Sequence, residues 1–304
     1  MDQSGLDFNP PTSLAQELEP GLKRIVAANP SPMTFRGTNT YLLGHKRIAV
    51  IDPGPDDINQ LTAILSTLKS GQKITNILVT HSHLDHSPLA GPLSVETGAK
   101  IYAFGMTGSG QSSIMRELSC SGYKGFSEGI DDNFKPDFCV TDEAEIVGSD
   151  EPLKAFHTPG HFGNHLSFVW KDALFSGDHI MDWATSIISP PDGDLSDFMT
   201  SCKRLQERSW RVFYPGHGAP VRSPNKRIAW IIKHRNLREQ QIIKKLRNGP
   251  NTAENLAKEI YISQPISVLA AAAQNVFAHL IDLKGRDKVS CEEPCRIENK
   301  FTLK

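Results

Sequence analysis

The sequence contains few cysteines and no long apolar run. Its five cysteines, an odd number, are scattered along 304 residues, and this argues against the disulfide framework of a small secreted protein. No apolar run approaches the roughly 18 to 20 residues that a membrane-spanning helix requires. The first residues also lack the basic and apolar segments of a secretory signal. We therefore expect a cytoplasmic protein that does not enter a membrane.

The chain as a whole has no large charge excess, since its net charge is −1. The distribution is uneven, however: residues 222–304 contain 16 lysines and arginines against eight acidic residues. Nearly all of this excess lies between Arg222 and Arg247. A basic segment on an otherwise acidic protein can attract phosphate groups. The alternative is an ordinary solvent-exposed helix face.

The first two-thirds of the sequence alternate short strand-like runs with helical segments. Residues 48–51, for example, form an apolar run that ends at the turn Asp52-Pro53-Gly54, and residues 57–68 have the periodicity of an amphipathic helix. Such alternation predicts a layered α/β domain with helices outside the sheets. Residues 105–137 are polar and weakly periodic, and we expect loops and one short helix there.

The pattern becomes helical after residue 221. Residues 225–247 predict one long helix, and residues 268–284 predict another. Between them, Asn251 followed three residues later by Glu254 predicts a short capped helix. A terminal hairpin within residues 288–303 would complete a small winged-helix-like unit. We therefore divide the chain into a main domain, residues 1–221, and a basic linking helix with a winged-helix-like domain, residues 222–304.

The most informative stretch follows the apolar run 77–79 and reads His81-Ser82-His83-Leu84-Asp85-His86. Imidazoles and a carboxylate that converge at a strand end are the ligands that one or two Zn²⁺-like ions require. Three later stretches place a histidine or an aspartate beside glycine at a predicted strand end: His157-Thr158-Pro159-Gly160-His161, Ser176-Gly177-Asp178 and Pro215-Gly216-His217. The sequence therefore predicts a metal site assembled from several loops.

These motifs, in this order, resemble the metallo-beta-lactamase superfamily. The resemblance implies an αββα sandwich, in which two mixed sheets are faced by helices. It also implies a first metal on His81, His83 and His161, a second metal on Asp85, His86 and His217, and Asp178 as the bridging ligand. We expect two divalent ions, Zn²⁺ first, with Mn²⁺ or Fe²⁺ as alternatives.

Three further residues are expected near the ligands. The resemblance implies that Asp52, at the end of another predicted strand, orients a ligand imidazole, a support that metal-bound histidines usually require. His179, beside Asp178, is expected to support a ligand in the same way. His165 either supports the site, meets the substrate or caps its own turn.

The predicted chemistry is hydrolysis. Two cations that share a water lower its pKa and supply hydroxide at neutral pH, with Asp85 and Asp178 as the catalytic carboxylates. Such hydroxide can attack the phosphorus of single-stranded RNA or the acyl carbon of a small thioester, lactone or related ester. A non-catalytic binding protein that kept the fold is a third hypothesis. The helices after residue 221 also offer a surface for a homodimer.

Within the superfamily, the chain resembles the lactamase-beta-like family typified by a mitochondrial single-strand endoribonuclease. The matching stretches are residues 29–34 with 37–42, residues 214–218 and residues 234–242. This resemblance favours RNA as the substrate. We expect the phosphate backbone to contact four residues of the basic helix: Arg227, Lys233, Arg235 and Arg238. The alternative is that residues such as Arg235 only attach this helix to the core.

Overall fold

The computed structural model describes residues 7–125, 129–262 and 269–304. Part of the predicted loop region 105–137 and the predicted helix start at Val268 therefore lie outside the described residues. Two sheets pack face to face, with helices on their outer surfaces. A smaller helical unit follows at the C-terminal end.

The first sheet has seven strands that follow one another in chain order. They are β1 (Gln16–Glu19), β2 (Leu22–Val26), β3 (Asn39–Leu43), β4 (Arg47–Ile51), β5 (Lys73–Leu78), β6 (Lys100–Ala103) and β7 (Phe138–Cys139). The first four pair antiparallel, and β4 to β7 pair parallel. The parallel half places the C-terminal ends of β4 and β5 side by side, where Asp52 and the first histidine cluster begin.

The second sheet has the order β12-β11-β10-β9-β8. Its strands are β8 (Glu145–Ile146), β9 (Leu153–His157), β10 (Leu166–Trp170), β11 (Ala173–Gly177) and β12 (Val212–Pro215). Neighbours from β8 to β11 are antiparallel, whereas β11 and β12 are parallel. The parallel pair brings the ends of β11 and β12 together, and each of these ends leads into a histidine or aspartate motif.

Alternation along the strands explains the layers. In β4, Ala49 and Ile51 face the second sheet in a shared core, whereas Ile48 and Val50 pack against helices on the outer face. This period of two is what a strand buried on both faces requires. The outer helices are α1 (Ile58–Ser66) and α2 (Ala90–Thr97) on the first sheet, and α4 (Leu195–Gln206) on the second; α3 (Ser113–Cys120) packs against the C-terminal unit.

The C-terminal unit contains α5 (Pro224–Leu246), α6 (Ala253–Ile260), α7 (Leu269–Gly285) and the hairpin β13 (Val289–Ser290) with β14 (Thr302–Leu303). The short helix begins one residue later than predicted, because the side chain of Thr252, not that of Asn251, accepts the capping hydrogen bond from Asn255 N–H. Asn251 instead accepts from Thr252 N–H.

Helix α5 belongs to two cores. Ile228 and Ile231 in its first half pack against the second sheet and α4, whereas Ile242 and Leu246 in its second half pack among α6 and α7. The predicted boundary at residues 221 and 222 lies just before this shared helix and stays a prediction. Among the described residues, no helix combines the length and the apolar character needed to cross a bilayer.

Candidate metal centre

The predicted ligands lie in four loops at one edge of the two sheets. His81, His83, Asp85 and His86 follow β5 of the first sheet, whereas His161, Asp178 and His217 follow β9, β11 and β12 of the second. In the described part of the chain, these seven side chains form three overlapping groups whose ligand atoms lie within 4.8 Å of one another. The fold therefore brings together every residue predicted to hold a metal.

The first group contains three imidazoles. His83 Nδ1 lies 2.8 Å from His81 Nε2 and 3.2 Å from His161 Nε2. Ligand atoms of a tetrahedral Zn²⁺, at about 2.0–2.1 Å from the ion, are about 3.3 Å apart. The three nitrogens are thus spaced as one coordination sphere requires.

The second group contains two imidazoles and one carboxylate. His86 Nε2 lies 3.3 Å from His217 Nε2, and Asp85 Oδ2 lies 3.3 Å from the former and 3.1 Å from the latter. These distances are close to the separation of about 3.3 Å between ligand atoms of a tetrahedral Zn²⁺, and the group adds one negative charge.

Asp178 lies between the two groups. Its Oδ2 is 3.2 Å from His217 Nε2 in the second group and 3.8 Å from His161 Nε2 in the first. Its Oδ1 is 3.6 Å from His86 Nε2 and, among the described residues, has no hydrogen-bond partner although it is buried. A buried carboxylate oxygen without a donor is costly, and a cation would satisfy it. Asp178 therefore fits the bridging position.

Backbone carbonyls fix the direction of two ligand imidazoles. His161 Nδ1 lies 2.7 Å from the Ile187 carbonyl oxygen, and His217 Nδ1 lies 3.3 Å from that of Gly37. A carbonyl can only accept, so Nδ1 carries the proton in both rings. The Nε2 atoms consequently face the other ligands.

Asp52 sets the direction of two more imidazoles. Its Oδ2 accepts from His86 Nδ1 at 3.0 Å and from Thr80 Oγ1 at 2.8 Å. Because the Thr80 hydroxyl donates to Asp52, it accepts from His81 Nδ1 at 2.9 Å. Both rings therefore also turn Nε2 toward the centre, and Asp52 contacts a predicted ligand as expected.

The electrostatics of the centre favour positive charge between its carboxylates. Burial lowers the pKa of the His83 imidazole to about 3, so its lone pair is available at neutral pH. Burial also opposes ionisation of Asp178, but His217 and His86 outweigh it and hold the pKa of this carboxyl well below its usual value. Against the effect of burial, Asp178 and Asp85 raise the pKa of His217 to about 9. The negative charge of these two carboxylates stabilises a protonated His217 imidazole, and it would stabilise a bound cation in the same way.

Glycine is required beside the bridging position. A Cβ atom added at Gly216 would lie 2.3 Å from Asp178 Oδ1 and 2.7 Å from His86 Cε1, closer than atoms can approach. The glycine of the Pro215-Gly216-His217 motif thus leaves room for the ligands themselves.

Sequence reasoning missed the part played by residues 37–41. Thr38 Oγ1 donates to Asp85 Oδ2 at 3.1 Å. Asn39 Nδ2 donates to the carbonyls of Pro215 and Gly218, both at 2.9 Å, and so fixes the loop that carries His217. The run Gly37-Thr38-Asn39 contributed to the resemblance, but its small polar residues gave no indication of which loop they would contact.

His165 lies behind the bridging residue. It is fully buried, and its Nε2 accepts from the backbone N–H of Asp178 at 3.2 Å, while its Nδ1 lies 2.9 Å from Thr158 Oγ1. The imidazole therefore supports the Asp178 backbone and has no surface for a substrate.

The expected support from the His179 imidazole is wrong. Its ring packs 4.5 Å from that of Phe198, and its Nε2 lies 3.7 Å from Cys202 Sγ, on the outer side of the second sheet. Asp178 therefore faces the centre, whereas His179, the next residue of the same turn, faces α4. The ring lies 6.0 Å from that of His165 but contacts no predicted ligand among the described residues, whereas the backbone carbonyl of His179 accepts from the Ser186 hydroxyl.

The predicted phosphate contact of Arg235 is also wrong. Its side chain is only 2% exposed, and it donates to the Ser186 carbonyl and, at 2.9 Å, to Asn275 Oδ1. The residue occupies the buried face of α5, where its guanidinium attaches the helix to a loop.

Two other basic residues of α5 are also engaged within the protein. Arg227 donates to the carbonyls of Met181 and Ala184, both at 2.8 Å. Arg238 donates to Gln241 and lies 4.0 Å over the ring of Tyr261. Of the four predicted phosphate contacts, Lys233 alone is exposed.

Residues 105–137 border the centre through the first histidine loop. The N–H of Leu84, between two predicted ligands, donates to the Gly129 carbonyl at 2.7 Å, and Ile130 forms a bridge with His83. The region contains loops and the short helix α3, as expected for the part that the structure describes.

Residues 188–194 border the same centre from the other side. Asp194 N–H donates to the Gly160 carbonyl, next to His161, at 2.8 Å. Gln111 Nε2 donates to the Pro191 carbonyl at 3.1 Å. Residues 105–137 and 188–194 therefore contact each other beside the predicted ligands.

Comparison with known proteins supports the architecture. A sequence profile of the metallo-beta-lactamase superfamily matches residues 33–217. The chain belongs to this superfamily. A second profile, the beta-lactamase associated winged helix domain, matches residues 252–294. The predicted fold class, the winged-helix unit and the assignment to a superfamily of hydrolases are thus confirmed.

Several known proteins resemble the chain over most of its length. A beta-lactamase-like protein 2 homolog from Drosophila melanogaster is 32% identical over 277 residues, which cover 88% of each chain. An atrochrysone carboxyl ACP thioesterase from Passalora fulva is 28% identical, covering 81% of this chain and 69% of the relative. A beta-lactamase domain protein from Burkholderia ambifaria superposes with a TM-score of 0.79 at 18% identity, covering 98% of this chain and 96% of its own, and this likeness shows the fold. The finer assignment to the endoribonuclease-type family stays a prediction.

Proposed function

We propose that this protein is a hydrolase with two divalent metal ions that cleaves small-molecule thioesters or related esters. His81, His83 and His161 would hold one ion, Asp85, His86 and His217 the other, and Asp178 would bridge them. The observation that carries the metal assignment is the convergence of ring nitrogens and two carboxylates on one centre, with the buried Asp178 Oδ1 lacking a donor among the described residues.

When bound, two such ions supply hydroxide at neutral pH and a positive field for the oxyanion that develops during acyl transfer. The chain's own residues contribute by position. Asp52 and the carbonyls of Gly37 and Ile187 keep ring protons on the outer nitrogens, and Thr38 donates to Asp85 and so limits its rotation. Because these groups are held before substrate arrives, little reorganisation is needed.

The contacts that the basic residues of α5 make within the protein favour an acyl substrate over RNA. Arg227 and Arg235 donate to backbone carbonyls of the chain itself, and Arg238 lies over Tyr261. Residues engaged in this way offer a phosphate backbone fewer contacts than the sequence suggests. The relative from Passalora fulva named as an ACP thioesterase supports the same choice.

Single-stranded RNA is the second candidate, and one observation favours it. Lys233 and Trp230 are both exposed on α5, and a cation with a neighbouring aromatic ring is a combination that binds single-stranded nucleic acid. Among the described residues, neither Lys233 nor Trp230 contacts the candidate metal centre. RNA is therefore the weaker candidate.

The test compares both substrate classes on one preparation. Protein loaded with Zn²⁺ or Mn²⁺ is incubated with acyl-CoA and acyl-pantetheine thioesters, with thiol release as the readout, and separately with end-labelled single-stranded RNA. We expect thiol release at a metal-dependent rate and intact RNA. Asp178→Ala and His83→Ala should lose turnover by about 10²-fold or more, because each removes a metal ligand.

Two controls decide the outcome. Circular dichroism must show that the variants are folded, so that lost turnover reports the metal centre. Lys233→Met should leave thioester turnover unchanged. RNA cleavage that disappears in Asp178→Ala and weakens in Lys233→Met, without thiol release, would replace the acyl proposal by the nuclease.

A further inference from the structure

One short loop, residues 186–188, contacts two of the proposed metal ligands. The Ile187 carbonyl accepts from His161 Nδ1 at 2.7 Å. The Ser186 hydroxyl contacts the backbone carbonyl of Asp178 and, at 2.7 Å, that of His179. The loop therefore determines the ring direction of one ligand and the backbone position of the bridging residue.

The loop is held by the C-terminal helices. Arg235 of α5 donates through Nη2 to the Ser186 carbonyl at 2.5 Å. Asn275 of α7 accepts through Oδ1 from Ile188 N–H at 3.1 Å and from Arg235 Nη1 at 2.9 Å. Both helices thus contact the loop through side chains that also contact each other.

Arg235 is buried, so its N–H groups must find acceptors within the protein. Arg235 is 2% exposed, and among the described residues no carboxylate forms an ion pair with it. A buried cation without a counter-ion is costly unless its N–H groups are used. A planar guanidinium can donate to a carbonyl and an amide oxygen at fixed angles, which an ammonium group cannot do. Packing alone would be served better by an apolar side chain.

We propose that Arg235 and Asn275 are positioning residues of the metal centre. They act through residues 186–188, which set His161 and Asp178 for metal binding, so that α5 and α7 complete a site whose ligands all lie in the two-sheet domain. The inference rests on the proposed function, since it assumes that these ligands bind metal.

The test measures metal affinity without any substrate. Apo-protein is titrated with Zn²⁺ in competition with a chromophoric chelator, and with Co²⁺ to follow the d–d spectrum. Arg235→Met should weaken at least one of the two binding steps by about 10- to 100-fold, the loss typical when a ligand's supporting partner is removed. Lys233→Met is the matched control on the same helix, and it should bind both ions as the wild type does.

Further variants separate positioning from folding. Arg235→Lys keeps the charge but not the paired donors, so it should restore the melting temperature more than the metal affinity. Asn275→Leu, of similar size, should weaken the same binding step if Arg235→Met does not fold. A folded Arg235→Met or Asn275→Leu protein with wild-type affinity for both ions would overturn the inference alone. Wild-type protein that binds no metal would overturn the proposed function as well.

Discussion

Single atoms decide the geometry of the candidate metal centre. The imidazole directions depend on one acceptor each, such as Ile187 for His161 and Asp52 for His86. The bridging carboxylate has room because residue 216 is a glycine and carries no Cβ atom. Substitutions that are conservative in size can therefore have large effects here, because protein interiors are packed without spare space.

Gly216→Ala is expected to damage the centre while leaving the fold intact. The added Cβ would lie 2.3 Å from Asp178 Oδ1, and the carboxylate must move away from its bridging position. We expect metal affinity to fall by about tenfold or more, as with other changes that displace a ligand, measured by titration of the apo-protein with Zn²⁺.

Gly285→Ala is the matched control for this substitution. Gly285 lies at the end of α7, and among the described residues its Cβ would meet only Ile114 Cδ1, at the ordinary contact distance of 3.6 Å. Unchanged metal affinity in Gly216→Ala would show that Asp178 does not need its observed position.

At the scale of elements, α4 links the second sheet to the segments beside the centre. Asp194 is its N-cap and accepts from Ser196 N–H at 2.8 Å. The other oxygen of the same carboxylate accepts from Ser112 Oγ, the N-cap residue of α3, at 2.7 Å. One side chain thus joins two helix starts near the candidate site.

Asp194→Ala should destabilise the protein more than the loss of an ordinary cap does. Removal of an N-cap carboxylate costs about 0.5–2 kcal/mol, and here Ser112 also loses its acceptor. We expect a decrease near the upper end, about 2 kcal/mol, in the free energy of unfolding from urea denaturation.

The control is Asp57→Ala at the start of α1, where the cap residue is only partly buried and its carboxylate accepts from Asn59 N–H. Its cost should lie nearer the lower end of that range. Equal losses in the two variants would contradict a joint role of Asp194 in α3 and α4.

For the whole molecule, the seven proposed ligands join the two sheets. Four follow β5 of the first sheet and three follow strands of the second. Any ion held between them would bind the folded chain and not the unfolded chain, because only folding brings these loops together. Metal binding is then linked to global stability.

Metal removal is therefore expected to destabilise the wild type. An ion present at 100 times its dissociation constant adds about 2.7 kcal/mol to the free energy of unfolding. A chelator should lower the melting temperature in differential scanning calorimetry, and added Zn²⁺ should restore it. The double variant His83→Ala/Asp178→Ala, which breaks the first ligand group and the bridge, should show a smaller shift than the wild type; an equal shift in both proteins would show that the metal acts elsewhere.

Local patterns in the sequence were sufficient for much of the fold and for the ligand set. The run from His81 to His86 and the glycine-flanked motifs are short-range features, and they lie at strand ends as predicted because short apolar runs bounded by turn residues are typical of buried strands. The long helix α5 was predicted to within one residue at each end, since its period extends over more than six turns.

Only the tertiary structure decided which of several similar or neighbouring residues contribute to the site. Arg235 and Lys233 are both basic and lie two positions apart on α5, yet one is buried against residues 186–188 and the other is exposed. Asp178 and His179 are neighbours in the chain, but one faces the centre and the other packs on Phe198. Sequence alone determined the kinds of residue and the elements that carry them. Their roles depend on contacts between segments distant in the chain, and these exist only once the sheets and the C-terminal helices have packed together.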